Sequence, residues 1–246
     1  MKLVLEIGTE AIPAGYVSRA LVELREHAEA ALRQARLGDP RVRTLATPKR
    51  LVLEVDGLVG RQDDVMRDVQ GPRADIAFRD GKPTAAAEGF AKKNKVALAE
   101  LERVVTEKGE FLLARVHERG RDASEVLPEI LAGLVTGLVW PKTMVWNETG
   151  FRFPRPIRWV TCLLDDAVLP LSIGGITSGR ESTGHWLLGP GAFSVSGAET
   201  FEDVLEERGV VLDPTKRRDK IERGLEDAAK RLKGRVVLDP DLLEEV

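Results

Sequence analysis

LVLEIGTEAIPAGYVSRALVELREHAEAALRQARL, Leu3 to Leu37, is the stretch on which the fold class turns. Leu3 to Ile7 alternates as a strand does. From Pro13 to Leu37 the apolar positions return at helical spacing: Val17, Leu21, Leu24, Ala28, Ala31 and Leu32 form one stripe. Gly38-Asp39-Pro40 ends the helix. Val42 to Ala46 and Leu51 to Val55 then read as two strands around Pro48. The chain therefore opens β-α-β-β.

Further on, Arg61 to Asp80 is polar and reads as loop, and Pro83-Thr84 starts a short helix, Ala85 to Lys93. Leu98 to Leu101 reads as a helical turn. Arg103 to Val116, with Lys108-Gly109 near its middle, reads as a hairpin. Asp122 or Ser124 caps a second long helix striped by Leu127, Ile130, Leu131, Leu134 and Leu138. Ile157 to Leu164 and Val168 to Ile173 form another expected hairpin, turned at Asp165-Asp166. Two helices finish the chain: Ala198 to Arg208, and one after Asp213-Pro214 that runs to Lys233 with Ile221, Leu225, Ala228 and Leu232 on one face. Strands and helices mix without regular βαβα alternation, so the fold class is α+β. A composition shift at Gly189-Pro190-Gly191 divides the chain into an α+β domain, residues 1–190 with an inserted subdomain near 72–140, and a mostly helical segment, 191–246.

At 246 residues the chain has room for one sizeable core or two small ones. The single cysteine, Cys162, lies in an apolar strand-like run and reads as a small buried hydrophobe. With no disulfide possible within the chain, no signal-peptide pattern and no apolar run long enough to span a membrane, the expected compartment is the cytoplasm. The net charge is −3, so nucleic-acid contact would have to come from local patches.

Catalytic signatures are absent: there is no P-loop, HExxH, Cys/His metal spacing or GxSxG. His27 lies among glutamates on the polar side of the first helix, and His117 ends a strand. Glu10, at the strand-to-helix junction, reads as a partner for the first helix's N-terminus. Gly174-Gly175 and Gly179 serve either as turn glycines or as a close approach to phosphate.

Basic residues carry the remaining chemistry. Lys49 and Arg50 follow Pro48, and Lys142 precedes FRFPRPIRWVTCLL, Phe151 to Leu164. In that tract Arg152, Arg155 and Arg158 interleave with Pro154, Pro156, Phe151, Phe153 and Trp159, and Trp146 stands just before it. Guanidinium groups bind phosphate by paired hydrogen bonds and aromatic faces stack on unpaired bases. The same arginines serve equally as internal salt bridges that order a loop. GGITSGRESTGH, Gly174 to His185, adds Arg180 and His185, where His185 either acts in a site or fixes a turn. Lys216 to Arg223 alternates with acids and reads as a solvated helix face.

Several stretches together resemble one family, the β subunit of bacterial two-subunit glycyl-tRNA synthetase. These are LVLEIGTEAIPAGYV (Leu3 to Val17), ATPKRLVLEVDGL (Ala46 to Leu58), GPRADIAFRDGKPTAAAEGFAKKN (Gly71 to Asn94), Lys108-Gly109-Glu110, the Pro141 to Arg158 tract, Gly179 to His185 and LLEEV (Leu242 to Val246). They follow the family's order along the whole chain. The departures are Ala11-Ile12 for the family's usual Glu-Leu, Val145 and Asn147 for an Arg and a Gly, and Trp186 for an Arg. The resemblance implies the N-terminal part of a longer β subunit. It also implies a partner α subunit of class II type that activates glycine with ATP, an α2β2 assembly, and tRNA(Gly) as substrate. This chain then carries no cofactor, makes no adenylate alone, and meets tRNA or the α subunit through Lys49, Arg50, Lys142, Arg152, Arg155, Arg158, Arg180 or His185. Two other readings stay open: an editing-like hydrolytic module around His185, as an α+β domain of the phenylalanyl-tRNA synthetase β subunit provides, and a pure assembly module that never touches RNA.

Overall fold

A computed structural model describes residues 1–79 and 81–245, so Asp80 and Val246, the ends of two stretches singled out above, lie outside the described residues. The fold is α+β. Two compact units are present: Met1–Gly60 together with Asp122–Val246, and Arg61–Arg121.

The first unit is built on β1 (Lys2–Thr9), α1 (Ala14–Gln34), β2 (Arg41–Thr47), β3 (Arg50–Asp56), α2 (Ala123–Thr136), β4 (Ile157–Leu164) and β5 (Ala167–Val168). The strands form one antiparallel sheet in the order β5-β4-β1-β3-β2. Leu3, Leu5 and Ile7 project from β1 into a core closed by Leu24, Ala28 and Leu32 of α1 and by Val126, Leu127 and Leu131 of α2. The helical stripe read from the sequence is the buried face of α1. Asp122 occupies the N-cap position of α2, though its side chain makes no capping bond there.

The opposite face of the sheet is buried too. Val4, Val52 and Leu163 pack under Phe193, Val195, Ala198, Phe201, Leu205 and Leu212. The glycine–proline–glycine turn expected to mark a domain boundary is a hairpin turn, because Glu181–Thr183 pairs antiparallel with Ala192–Ser194 across it. The chain beyond it lays one more strand, then α3 (Phe201–Glu207), onto the sheet. The division therefore falls at Gly60 and Arg121, and differs from the expected 72–140 insertion and 191–246 segment. Burial of Phe193 and Phe201 outweighs the local change in composition. After Asp213, whose carboxylate accepts from the amides of Thr215 and Lys216 at 2.8 and 3.2 Å, comes α4 (Pro214–Arg231). No α4 residue is fully buried, and Leu225 on its apolar face is exposed.

Two further expectations need correction. Val168 to Ile173 is not one strand. β5 stops at Val168, Pro170 offers no amide, and Ser172–Ile173 starts a new hairpin with Ile176–Thr177. Gly174 and Gly175, with φ of 57° and 83°, form its two-residue turn. The second correction lies in the other unit, where Val65–Arg73 is a strand and not loop. It pairs antiparallel with Gly109–Glu118, which pairs in turn with Glu102–Thr106. Backbone pairing holds this strand while most of its side chains face water, so it lacks the apolar alternation by which strands are read. Helix Ala85–Asn94 covers the sheet through Ala87, against Ala77 and Leu112. Among the described residues no helix is long and apolar enough to cross a membrane.

The second face of the main sheet holds a titrating group. Glu54 of β3 is buried, and the Arg43 guanidinium bridges it at 3.1 Å to Glu202 of α3 at 2.8 Å. Burial, followed by repulsion from Glu202, pushes the Glu54 carboxyl up to about 7, against the pull of Arg43 and Lys2. A carboxyl whose folded value exceeds its unfolded value contributes stability below the unfolded value and loses it as pH rises through the folded one. Stability is thus expected to fall between roughly pH 4.5 and 7, by on the order of 1–3 kcal/mol. Urea midpoints measured across that range should show the slope in the native protein and a flatter line in Glu54→Gln. A native protein that gains stability over the same interval would contradict it.

Candidate functional site

The site grows from one buried charge on the second face of the sheet. Glu6 of β1 is fully buried. Arg50, at the start of β3, is buried beside it with Nη1 2.7 Å from the Glu6 carboxylate. The Thr161 hydroxyl donates to the other Glu6 oxygen at 2.9 Å, and Arg50 Nη2 donates to the Thr183 carbonyl at 2.7 Å. Burial lowers the Arg50 pKa, against the opposing charge of Glu6. This ion pair ties three strands of the sheet to the hairpin that follows.

Trp159 sits over this pair. The Arg50 guanidinium lies 5.4 Å from the indole centroid, within cation–π range. Trp159 is the β4 partner of Gly8, and a Cβ on Gly8 would fall inside the indole ring. Only glycine leaves room for the indole against the backbone there.

Above this floor opens a cleft of about 500 Å³, formed by the Thr9–Ala11 turn, the Thr47–Arg50 turn, Arg158, Trp159, the Thr183–Trp186 segment, Gly209–Val211 and Arg217. Its charges are unevenly matched. Arg50 is neutralised by Glu6, and Arg158 by Glu10 at 2.8 Å. Among the described residues Arg217 bonds only to main chain, its Nη1 lying 3.1, 2.9 and 3.3 Å from the carbonyls of Ala46, Val211 and Leu212. Burial lowers its pKa while the charge of Asp213 raises it. Lys49 is exposed on the rim without a carboxylate partner among the described residues. The wall nearest the β2–β3 turn is therefore positive. On the other side, His185 Nδ1 accepts from the amides of Leu187 and Leu188 at 3.2 and 3.1 Å. That fixes a turn which leaves Trp186, Leu187 and Leu188 at 71%, 64% and 70% exposure.

Comparison with known proteins finds sequence matches over nearly the whole chain. The family model described as glycyl-tRNA synthetase beta subunit matches residues 3–246. A glycine–tRNA ligase beta subunit of Syntrophotalea carbinolica is 42% identical over 100% of this chain and 36% of its own length. One from Moorella thermoacetica is 40% identical over 99% of the chain and 35% of its own length, and one from Myxococcus xanthus 39% over 99% and 35%. The chain belongs to the glycyl-tRNA synthetase β subunit family. It spans about a third of the length of the curated relatives it matches.

Within this family member, the cleft gathers four of the basic positions singled out by sequence: Lys49, Arg50, Arg158 and His185. Arg50 is the structural member, since burial and the Glu6 bond leave it no free face. Arg180 is likewise held inside, donating to the carbonyls of Val195 and Ser196 at 3.1 Å each and of Asp166 at 3.1 Å. Arg155 reaches back to the Ala11 carbonyl at 3.0 Å and to Pro154 at 3.2 Å. Lys142 and Arg152 are exposed outside the cleft, with Arg152 donating to Thr143 at 3.1 Å on the short hairpin of Met144–Val145 and Arg152–Phe153. Glu10 faces Arg158 and makes no helix cap.

The aromatics of the tract do not form a stacking surface. Phe153 is buried, with Trp140 at 5.1 Å and Phe151 at 6.0 Å, and Trp146 packs on Phe151 at 5.6 Å. They close the core under α2. Cys162 is buried, and burial pushes its thiol up to about 12, which leaves it unreactive. By sequence Arg217 falls within Lys216 to Arg223, which reads as a solvated helix face, and Trp186 figures only as a departure; the structure instead turns Arg217 to the preceding loop. The available signal for Arg217 was its position one turn after the Asp213-Pro214 cap, which points it back toward the preceding loop.

Proposed function

We propose that this chain is a non-catalytic part of a glycine–tRNA ligase, and that its cleft faces tRNA while a separate α subunit, in an α2β2 assembly in the cytoplasm, binds ATP and activates glycine. The observation that carries this reading is the positive wall of Lys49 and Arg217 beside an exposed tryptophan, in a member of this family. An exposed cation without a carboxylate partner, as Lys49 is, draws phosphate and releases its counterions, and the Glu6–Arg50 pair holds the turn that presents it. Lys142 and Arg152, on a hairpin that also exposes Met144 and Val145, suit contact with the α subunit.

The hydrolytic reading has less support. A general base needs a free lone pair within reach of a nucleophile. The Nδ1 lone pair of His185 is occupied by two backbone amides, and Glu10 is held by Arg158.

The test is tRNA binding by the assembled enzyme as a function of salt. Lys49→Ala should weaken binding and shallow the log–log salt slope by about one unit. Glycine-dependent pyrophosphate exchange should stay unchanged in the same variant. An unaltered affinity and slope would remove the cleft from the tRNA surface.

A further inference from the structure

The floor of the cleft carries an unusual concentration of polar atoms without partners. Thr9 Oγ1, Arg50 Nε and Trp159 Nε1 are all buried, and none has a hydrogen-bond partner among the described residues. All three belong to residues that line this one cleft. With no accessible surface, these three atoms cannot themselves be reached from the open cleft; they form the closely packed polar floor beneath it, and a ligand in the cleft meets the walls above them.

Two features of the walls narrow the ligand's chemistry. Arg217 is tied to Ala46 at the end of β2, and Lys49 stands on the turn that follows, so both cations share one wall. They call for an anionic group. Trp186 rises from the opposite lip, anchored through His185 Nδ1 and through Gly184, where any side chain would meet the Gly189 carbonyl. Trp159 already has Arg50 against its ring and Gly8 beneath it. Trp186 is the free aromatic face. It offers a flat, rigid platform at low entropic cost. A ligand with a planar ring at one end and a phosphate at the other satisfies both walls, and the volume of about 500 Å³ lies within the range of small-molecule sites.

We infer that the cleft binds one nucleoside monophosphate unit, with its base on Trp186 and its phosphate at Lys49 and Arg217. The unit comes either from a free nucleotide or from an unpaired residue of an RNA chain. For the RNA source the inference rests on the tRNA-facing reading above.

The experiment titrates the chain with AMP, adenosine, ribose 5-phosphate and a short single-stranded oligoribonucleotide, followed by calorimetry. Lys49 and Trp186 are exposed, so their alanine variants are expected to fold, which circular dichroism checks. AMP should bind more tightly than either adenosine or ribose 5-phosphate. Trp186→Ala should weaken AMP roughly tenfold, the loss of one stacked base. Lys49→Ala should weaken AMP and leave adenosine unchanged. An oligoribonucleotide that outbinds AMP with a salt-dependent affinity assigns the source to RNA. AMP binding with no oligoribonucleotide binding assigns it to free nucleotide. Ribose 5-phosphate binding as tightly as AMP, no binding of any probe, or indifference to Trp186→Ala would overturn the inference. The two readings separate cleanly. If Lys49→Ala impairs tRNA binding while no mononucleotide or oligonucleotide binds, the inference fails and the tRNA-facing reading stands. If AMP binds with the expected variant effects while tRNA ignores Lys49→Ala, the inference stands and that reading fails.

Discussion

Glu6→Ala should destabilise the protein by about 3–5 kcal/mol, because it strips a buried guanidinium of its counterion. Arg50 is 3% exposed and keeps only the Ser182 hydroxyl at 3.4 Å and the Thr183 carbonyl at 2.7 Å once the carboxylate is gone. Neither carries a full charge. A domain has about 5–15 kcal/mol of total stability, so the loss takes a large share of it. Thr161 suffers less, since its hydroxyl retains the Glu181 carbonyl at 2.6 Å. The control is the double variant Glu6→Leu/Arg50→Met, which removes both charges and fills the space. It should recover most of the loss, as buried ion pairs replaced whole by apolar side chains commonly do. Urea unfolding of the native protein, the single variant and the double variant gives the comparison. A single variant that loses less than about 1 kcal/mol would mean that Arg50 is better solvated than its position implies.

Gly8→Ala should cost about 3 kcal/mol for the addition of one methyl group. The new Cβ falls within the Trp159 indole, which has the Arg50 guanidinium against its ring. Overpacking of a filled site costs about 1–3 kcal/mol, and a rigid ring against main chain belongs at the upper end. Trp159→Ala alone should cost about 3–5 kcal/mol by the loss of buried ring area. The distinctive expectation is their coupling. Once the indole is gone the methyl group has room, so the double variant should be no less stable than Trp159→Ala. Strictly additive losses would show that the ring does not rest on Gly8. The same substitution should disturb AMP binding, because Trp159 forms the floor of the cleft.

Local pattern sufficed wherever one face of an element alone meets the core. The α1 stripe, β2 beside Pro48 and the strands on either side of Lys108-Gly109 were readable for that reason. It failed where pairing or distant packing decided. Val65–Arg73 carries mostly exposed polar side chains and is a strand because Gly109–Glu118 supplies its hydrogen bonds. Gly189 to Gly191 resembles a linker in composition, yet it turns a hairpin whose second strand delivers Phe193 and Phe201 to the far side of the sheet. Leu3 to Ile7 reads as an alternating strand, yet β1 and β3 are buried on both faces, because the chain after Thr183 covers the second.

The candidate site divides along the same line. Its residue types were visible: lysine and arginine after Pro48, arginine before Trp159, histidine after Gly184. By sequence the arginine-rich tract reads equally as internal salt bridges or as a binding surface, and the structure divides it. Phe151 and Phe153 go to the core, Arg155 and Arg158 reach the Thr9–Ala11 turn, and Arg152 stays outside.

By itself the sequence determined the family, the α+β class and the faces of the long helices, because these follow from order, periodicity and composition along the chain. Which cations remain free was decided only by the tertiary structure. An arginine's availability depends on the carboxylates and carbonyls that folding brings within about 3 Å of it, and these come from far along the chain. Glu6 reaches Arg50 across 44 residues and Glu10 reaches Arg158 across 148, whereas Lys49, next to Arg50 in the chain, is left facing the cleft.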